Sequence, residues 1–406
     1  MEEVNKTKNG KHRTERRKAY TAHGEQMLIS ENFDIFKIIH NNHHSTIALS
    51  NFANAVVEKT NVTIKKFKTM SSTKNETEIL KNYKRIVREV KLLNFLKFSS
   101  NIIQLYDIDV ICTNDIQIPM DVYLYEEAME SDLDKIIKSN QHLSDLHYQN
   151  FLNQLLSAVK YLHSAGIIHG DIKPSNVLVN SDCQIKLTGF SYSVSTETKI
   201  TSNDTIKSND SQSSKWYRAP ELILNYNEVS EASDVWSIGC VLAELFSKRA
   251  FLKSKDYLGQ LNRLLQILGT PPQSVLSKIK SSSVKDYINR LGIIPRVRFN
   301  KFFSNINFIS IDMLEKMLQY DTTERITIDD ALNHTYLKIW HEPKDEFVSK
   351  EKFSFEFENI TSLTELCQLI IREVDDDSTS MDENGNIQYA EKPTLQDTDS
   401  SEEWIT

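Results

Sequence analysis

The chain has 406 residues, 39% of them hydrophobic and 9% aromatic, with a formal net charge of -8. That is enough apolar material for one large or two medium cores, and it excludes a disordered scaffold. The acidic excess collects after Val374, in Asp375, Asp376, Asp377, Asp382, Glu383, Asp397, Asp399, Glu402 and Glu403, so the remaining body is near neutral and direct nucleic-acid binding is not expected.

Cys112, Cys183, Cys240 and Cys367 form no C-x-x-C pair and no dense framework, which fits a reducing compartment. No apolar run approaches the roughly 20 residues that span a bilayer. The start Met1-Glu2-Glu3-Val4-Asn5-Lys6 lacks the apolar core of a signal peptide. The expectation is a soluble cytoplasmic or nuclear protein, or both, with no membrane partner.

Residues 1–32 are polar and locally basic, through Lys11, His12, Arg13, Arg16, Arg17 and Lys18, and read as a flexible arm. A nuclear-import or acidic-partner patch is the other reading of the same cations. From Phe33 the pattern turns β-like, with Phe33–Ile39 and Val62–Phe67 as strand runs. A helical stretch then covers Glu76 to Leu96. After a hinge-like segment from Tyr125 to Glu130 helices dominate. Phe151, Leu155, Val159 and Leu162 fall on one helical face that Gly166 terminates, and Val235, Ile238, Leu242 and Leu245 mark another buried helix. The tail 375–406 reads as acidic and disordered.

Several motifs occur in a fixed order. Val62-Thr63-Ile64-Lys65 is followed by Arg88-Glu89, then His169-Gly170-Asp171-Ile172-Lys173-Pro174-Ser175-Asn176 and Thr188-Gly189-Phe190-Ser191. Trp216-Tyr217-Arg218-Ala219-Pro220-Glu221, Asp234-Val235-Trp236-Ser237 and Arg325 complete the series. Over residues 33–374 this order resembles the eukaryotic protein kinases, and within them the MAP kinases. Ile267-Leu268-Gly269-Thr270-Pro271-Pro272, Asp256–Asn262, Val122–Glu130 and Ile339–Pro343 are most similar to the fungal cell-wall-integrity MAP kinase; a diverged, pseudokinase-like paralogue of it is expected.

The resemblance implies an α+β, bilobal fold. It gives a β-rich lobe at about 33–126, a helical lobe at about 131–374, a MAP kinase insert at about 251–298 and a docking patch at 341–347. It also implies roles by position. Asp171 would accept the substrate hydroxyl proton, Lys173 would contact the γ-phosphate and Asn176 would bind metal through its carbonyl. Lys65 would reach the phosphates with Glu89 holding it, a pair that could equally tie helix to sheet. Ile39, Ile47 and Leu178 would enclose adenine, with Thr63 narrowing the roof and Glu127 to Met129 offering backbone groups. Leu93, His169 and Phe190 would form the internal spine, and Glu221 would pair with Arg325.

Departures from the pattern matter as much. Gly189 stands where D-F-G supplies the Mg²⁺ aspartate, Gly170 replaces the arginine of H-R-D, and residues 39–47 contain no glycine where G-x-G-x-x-G belongs. Glycine lets backbone amides approach phosphates because it lacks Cβ. Counting back from Trp216 gives Asn209-Asp210-Ser211 in place of Thr-x-Tyr. Mg²⁺ binding is therefore expected to be weakened or absent, ATP binding stays open, and kcat is expected to fall by at least about 10²- to 10³-fold. Glu342, Asp345 and Glu346 match the acidic patch with which MAP kinases hold basic-hydrophobic docking motifs. Such motifs occur on MAP kinase kinases, phosphatases and transcription factors. Three functions follow: a pseudokinase acting by docking, a slow Ser/Thr kinase, or a nucleotide-gated binding module.

Overall fold

The structure, a computed structural model, describes residues 17–22, 25–41, 44–52, 61–68, 75–97, 99–112, 119–197, 214–341, 347–376, 380–381 and 387–388. It divides into two compact units, one drawn from Met1–Met70, Leu105–Glu127 and Ile371–Thr406, the other from Ser71–Gln104 and Ala128–Ile370. The first is sheet-rich and the second mainly helical, as an α+β protein requires.

In the first unit β1 (Arg17–Ala22) and β2 (Glu25–Ser30) form an antiparallel hairpin. Strands β3 (Phe33–Asn41), β4 (Ser45–Phe52), β5 (Asn61–Lys68), β6 (Leu105–Cys112) and β7 (Pro119–Glu127) make a second sheet in the order β3-β4-β5-β7-β6. All its neighbours are antiparallel. Alternation explains the inner face: Val62 and Ile64 of β5 are buried with Phe33, Ile35, Ala48, Tyr123 and Tyr125.

The hairpin corrects the expectation of a flexible arm for residues 17–30. Met27 and Ile29 are buried in that same core. The Leu28 N–H donates to the Tyr123 hydroxyl (3.0 Å), Lys66 Nζ to the Gln26 carbonyl (2.7 Å), and Arg17 clamps both oxygens of Asp109 (2.6 and 2.8 Å). Two buried apolar residues in a basic setting suffice because the neighbouring strands supply the partners. Of the expected basic patch, Arg17 and Lys18 are ion-paired, the latter with Asp34; Lys11, His12, Arg13 and Arg16 lie outside the described residues.

The second unit begins with α1 (Glu76–Leu96), whose bounds match the sequence expectation. The Asn75 side chain accepts from Thr77 N, and Glu76 and Glu78 sit in the first turn, where acidic residues complement the helix dipole. Contrary to its expected place in the sheet-rich lobe, α1 groups with the second unit, through side chains described below. Then come β8 (Ser131–Asp132), α2 (Leu133–Lys138) and α3 (Asp145–Ser164), on which Phe151, Leu155, Val159 and Leu162 are all buried. Gly166 follows with φ +76°, the left-handed stop that glycine favours.

Strands β9 (Ile167–Ile168), β10 (Val177–Val179), β11 (Ile185–Leu187) and β12 (Val194–Ser195) frame the motif-bearing loops, with β12 paired to β9 and β10 lying between β11 and β8. The helical remainder comprises α4 (Pro220–Ile223), α5 (Glu231–Ser247), α6 (Tyr257–Leu268), α7 (Gln273–Leu276), α8 (Ser282–Leu291), α9 (Phe308–Met317), α10 (Ile328–Leu332) and, as far as Ile370, α11 (Leu363–Asp376). Val235, Ile238, Leu242 and Leu245 of α5 are at most 2% exposed. Helices α6, α7 and α8 fall within residues 251–298. No helix among the described residues is long and apolar enough to cross a membrane.

Of the tail expected to be disordered, β13 (Ser380–Met381) pairs antiparallel with β14 (Ile387–Gln388). Backbone bonds alone make such a ladder, so acidic composition does not forbid it.

Candidate active site and its relatives

The catalytic-loop residues are held by a buried carboxylate. Asp234, at the start of α5 and 1% exposed, accepts from the backbone N–H of His169 (2.8 Å) and of Gly170 (3.0 Å) and bonds His163 Nε2 (2.9 Å). Burial alone would raise its pKa, but the bonds from His163 and the loop amide outweigh it and hold the carboxyl below its usual range. His169 Nδ1 accepts from Asp171 N (3.2 Å), so the ring proton sits on Nε2 and is donated to the Thr188 carbonyl (3.1 Å). Burial lowers the His169 pKa, in keeping with this neutral tautomer.

Three residues predicted to carry chemistry come together here. Lys173 Nζ lies 2.6 Å from Asp171 Oδ2, and Asn176 Nδ2 donates to the Asp171 carbonyl (2.8 Å) and to Oδ2 (3.1 Å). The Asp171 side chain is 10% exposed. Its carboxylate is thus oriented by one cation and one amide, the setting a proton acceptor needs.

Beside them Gly189 adopts φ +87° and ψ 54°. A Cβ there would meet the Asn176 side chain at 2.9 Å (Nδ2), 3.0 Å (Cγ) and 3.1 Å (Oδ1). Gly170 has φ +76°, and a Cβ on it would lie 2.8 Å from the Tyr192 carbonyl oxygen. Both glycines therefore occupy backbone conformations that L side chains adopt at a cost, with no room for a side chain as the neighbours stand.

The proposed nucleotide residues divide between the units. Ile39, Ile47, Lys65 and Glu127 belong to the first and Glu89, Met129 and Leu178 to the second. Ile47 and Lys65 are cross-strand partners, and the Lys65 ammonium lies 4.9 Å from the Phe67 ring centroid. Ile39 is 37% exposed, and Thr63 is buried on β5. In place of the family's glycines, the Asn41 side chain accepts from Thr46 Oγ1 of β4 (3.2 Å) and from Lys68 Nζ of β5 (2.9 Å), tying the β3–β4 hairpin to the neighbouring strand. Asn42 and His43 lie outside the described residues, as do residues 198–213 and the docking residues Glu342, Asp345 and Glu346.

Other expected internal contacts are present. The His169 and Phe190 rings meet edge to face at 5.1 Å, and Leu93 and Phe190 are fully buried. Arg325 grips Glu221 through two bonds of 2.9 and 2.8 Å. Sequence reasoning passed over Ser191 and Glu358, which engage α1. Ser191 was visible as a departure from the glycine of D-F-G. For Glu358, 270 residues from Arg88, no local signal exists.

Residues 51–337 match the protein kinase domain. The chain is 42% identical over 360 residues to mitogen-activated protein kinase SLT2/MPK1 of Saccharomyces cerevisiae, covering 89% of this chain and 72% of that protein. It is also 42% identical over 358 residues to serine/threonine-protein kinase KDX1 of the same yeast, covering 88% and 80%. Mitogen-activated protein kinase MKC1 of Candida albicans is 43% identical over 292 residues, covering 72% and 58%. The chain belongs to the protein kinase family. Within that family it stands among the mitogen-activated protein kinases.

Proposed function

We propose that the chain is a MAP-kinase-like pseudokinase in fungal cell-wall stress signalling that acts by docking to pathway kinases, phosphatases or a transcription factor. The observation that carries this reading is Gly189. It stands in the metal-ligand position, supplies no side-chain oxygen, and is packed against Asn176. Kinase relatives use ATP and Mg²⁺ in general, but the donors here do not fit the metal. One ligand position has no side chain, which leaves the neutral Asn176 carbonyl oxygen as the remaining ligand of the motif, its amide nitrogen being bonded to Asp171. Phosphoryl transfer relies on positioning and charge neutralisation, so losing that anchor removes most of the rate.

The docking reading rests on the position of Glu342, Asp345 and Glu346 in the MAP kinase pattern. Purified protein is expected to bind basic-hydrophobic docking peptides. Glu342→Lys with Asp345→Lys should weaken that binding by at least about tenfold, because reversed charge repels the peptide. Unchanged affinity in a fluorescence-anisotropy titration would sink the docking role.

A second reading, a slow Ser/Thr kinase, is favoured by the close grouping of Asp171, Lys173 and Asn176; phosphate transfer decides it. Nucleotide-gated binding requires nucleotide occupancy. In that case saturating ATP, at about 100 times Kd, should stabilise the fold by about 2.7 kcal/mol. A melting temperature indifferent to ATP, with and without Mg²⁺, would remove that reading.

A further inference from the structure

Glu89 lies midway along α1 and is 0% exposed, a place where an ionised carboxylate needs hydrogen-bond donors. The Ser191 hydroxyl is such a donor, 2.5 Å from Glu89 Oε2. In the D-F-G pattern that residues 189–191 match, this third position is glycine, which has no side chain to donate. The bond is therefore a property of this chain's own substitution.

Neighbouring contacts reinforce the same junction. One turn face of α1 presents Arg85, Arg88 and Glu89 to residues 190–192. Arg88 Nη1 donates to the Ser191 carbonyl, and the Arg85 guanidinium lies 4.8 Å from the Tyr192 ring centroid. Arg88 is itself held by Glu358, through Nε at 2.7 Å and Nη2 at 2.6 Å, and Lys84 Nζ donates to the Glu358 carbonyl. Phe190 is fully buried between these polar clasps.

We propose that Ser191 is a latch: its hydroxyl, bonded to Glu89 and flanked by the Arg88–Glu358 pair, fixes helix α1 on the 190–192 turn by contacts internal to the polypeptide. The latch stands apart from the proposed docking function, since it holds whether or not the chain turns over ATP. It makes the placement of α1 a built-in feature of the second unit. Ser191 acts as a positioning residue, through Glu89, and not on any substrate.

Amide hydrogen exchange on the full chain tests this. A hydrogen bond to a charged, buried group is strong enough that its removal should accelerate local opening roughly 10- to 100-fold. Ser191→Ala and Ser191→Gly are expected to speed exchange over residues 83–93 by that factor while residues 235–245 of α5 exchange as before. Ser191→Thr, which keeps the hydroxyl, should restore protection. Glu358→Ala, at a position 30% exposed, loosens the same junction from the solvent side and should speed exchange over 83–93 severalfold; it serves if the Ser191 variants fold poorly. Unchanged exchange over 83–93 in either kind of variant overturns the latch. So does an equal rise in α1 and α5, which would make Ser191 a general stability residue.

Discussion

Arg325→Met is expected to destabilise the protein by about 3–5 kcal/mol, because it strands a buried carboxylate. Arg325 and Glu221 side chains are both 0% exposed. Beyond the two bonds to Glu221, Arg325 donates to the carbonyls of Ala232 (2.6 Å) and Gln319 (3.2 and 2.9 Å), and its guanidinium lies 5.3 Å from the Trp236 ring. Removing the guanidinium leaves Glu221 the Ser233 hydroxyl (2.9 Å), a single neutral donor, in place of a cation. It also leaves two carbonyls short of a partner. The double variant Arg325→Met/Glu221→Leu should recover part of the loss, since it removes both charges together. Denaturant midpoints measure both, and a single-variant loss below about 1 kcal/mol would overturn the claim that Arg325 is needed to compensate the buried Glu221 carboxylate.

The contrast between what was legible in the sequence and what was not follows from contact range. Helix α1 was readable to its bounds because its periodicity and its N-terminal Asn75-Glu76 signal are local. Asp171, Lys173 and Asn176 were readable as a group because five residues of one loop bring them together. The β1–β2 hairpin was not, because its anchors lie far along the chain: Arg17 to Asp109 spans 92 residues and Leu28 to Tyr123 spans 95. Polar composition in residues 17–30 reports the exposed side of that hairpin and is silent about the partners on the other. Ser191 illustrates the same limit differently. Its departure from glycine was plain, but its meaning depended on Glu89, 102 residues away.

Gly189→Asp, which writes the missing ligand back into the chain, is expected to leave phosphate transfer at the background set by Asp171→Ala. The backbone at 189 lies in the left-handed region, which costs most L side chains about 1–2 kcal/mol and Asp less. The new Cβ would also sit 2.9 Å from Asn176 Nδ2. The Asn176 side chain must therefore give way, which strains its two bonds to Asp171, each contributing about 1 kcal/mol. A net loss of about 1–3 kcal/mol in stability is expected, and with it a less firmly held Asp171, the group that would accept the substrate proton.

Adding Gly170→Arg does not repair this. Its Cβ would approach the Tyr192 carbonyl to 2.8 Å, and that neighbour is backbone, which cannot rotate aside as an amide side chain can. The glycine-free β3–β4 hairpin remains as it was. The assay is radiolabelled transfer from ATP to a generic MAP kinase substrate, with Mg²⁺ and with Mn²⁺, by wild type, Asp171→Ala and Gly189→Asp. Labelling by wild type that vanishes in Asp171→Ala would overturn the pseudokinase reading. A gain of about 10²-fold or more in Gly189→Asp would show that the loop repacks readily and that the absent carboxylate alone had silenced an otherwise competent site. Background labelling from all three, with the melting temperature lowered in Gly189→Asp, is the expected result, because the Asn176 side chain already stands where the added Cβ would go.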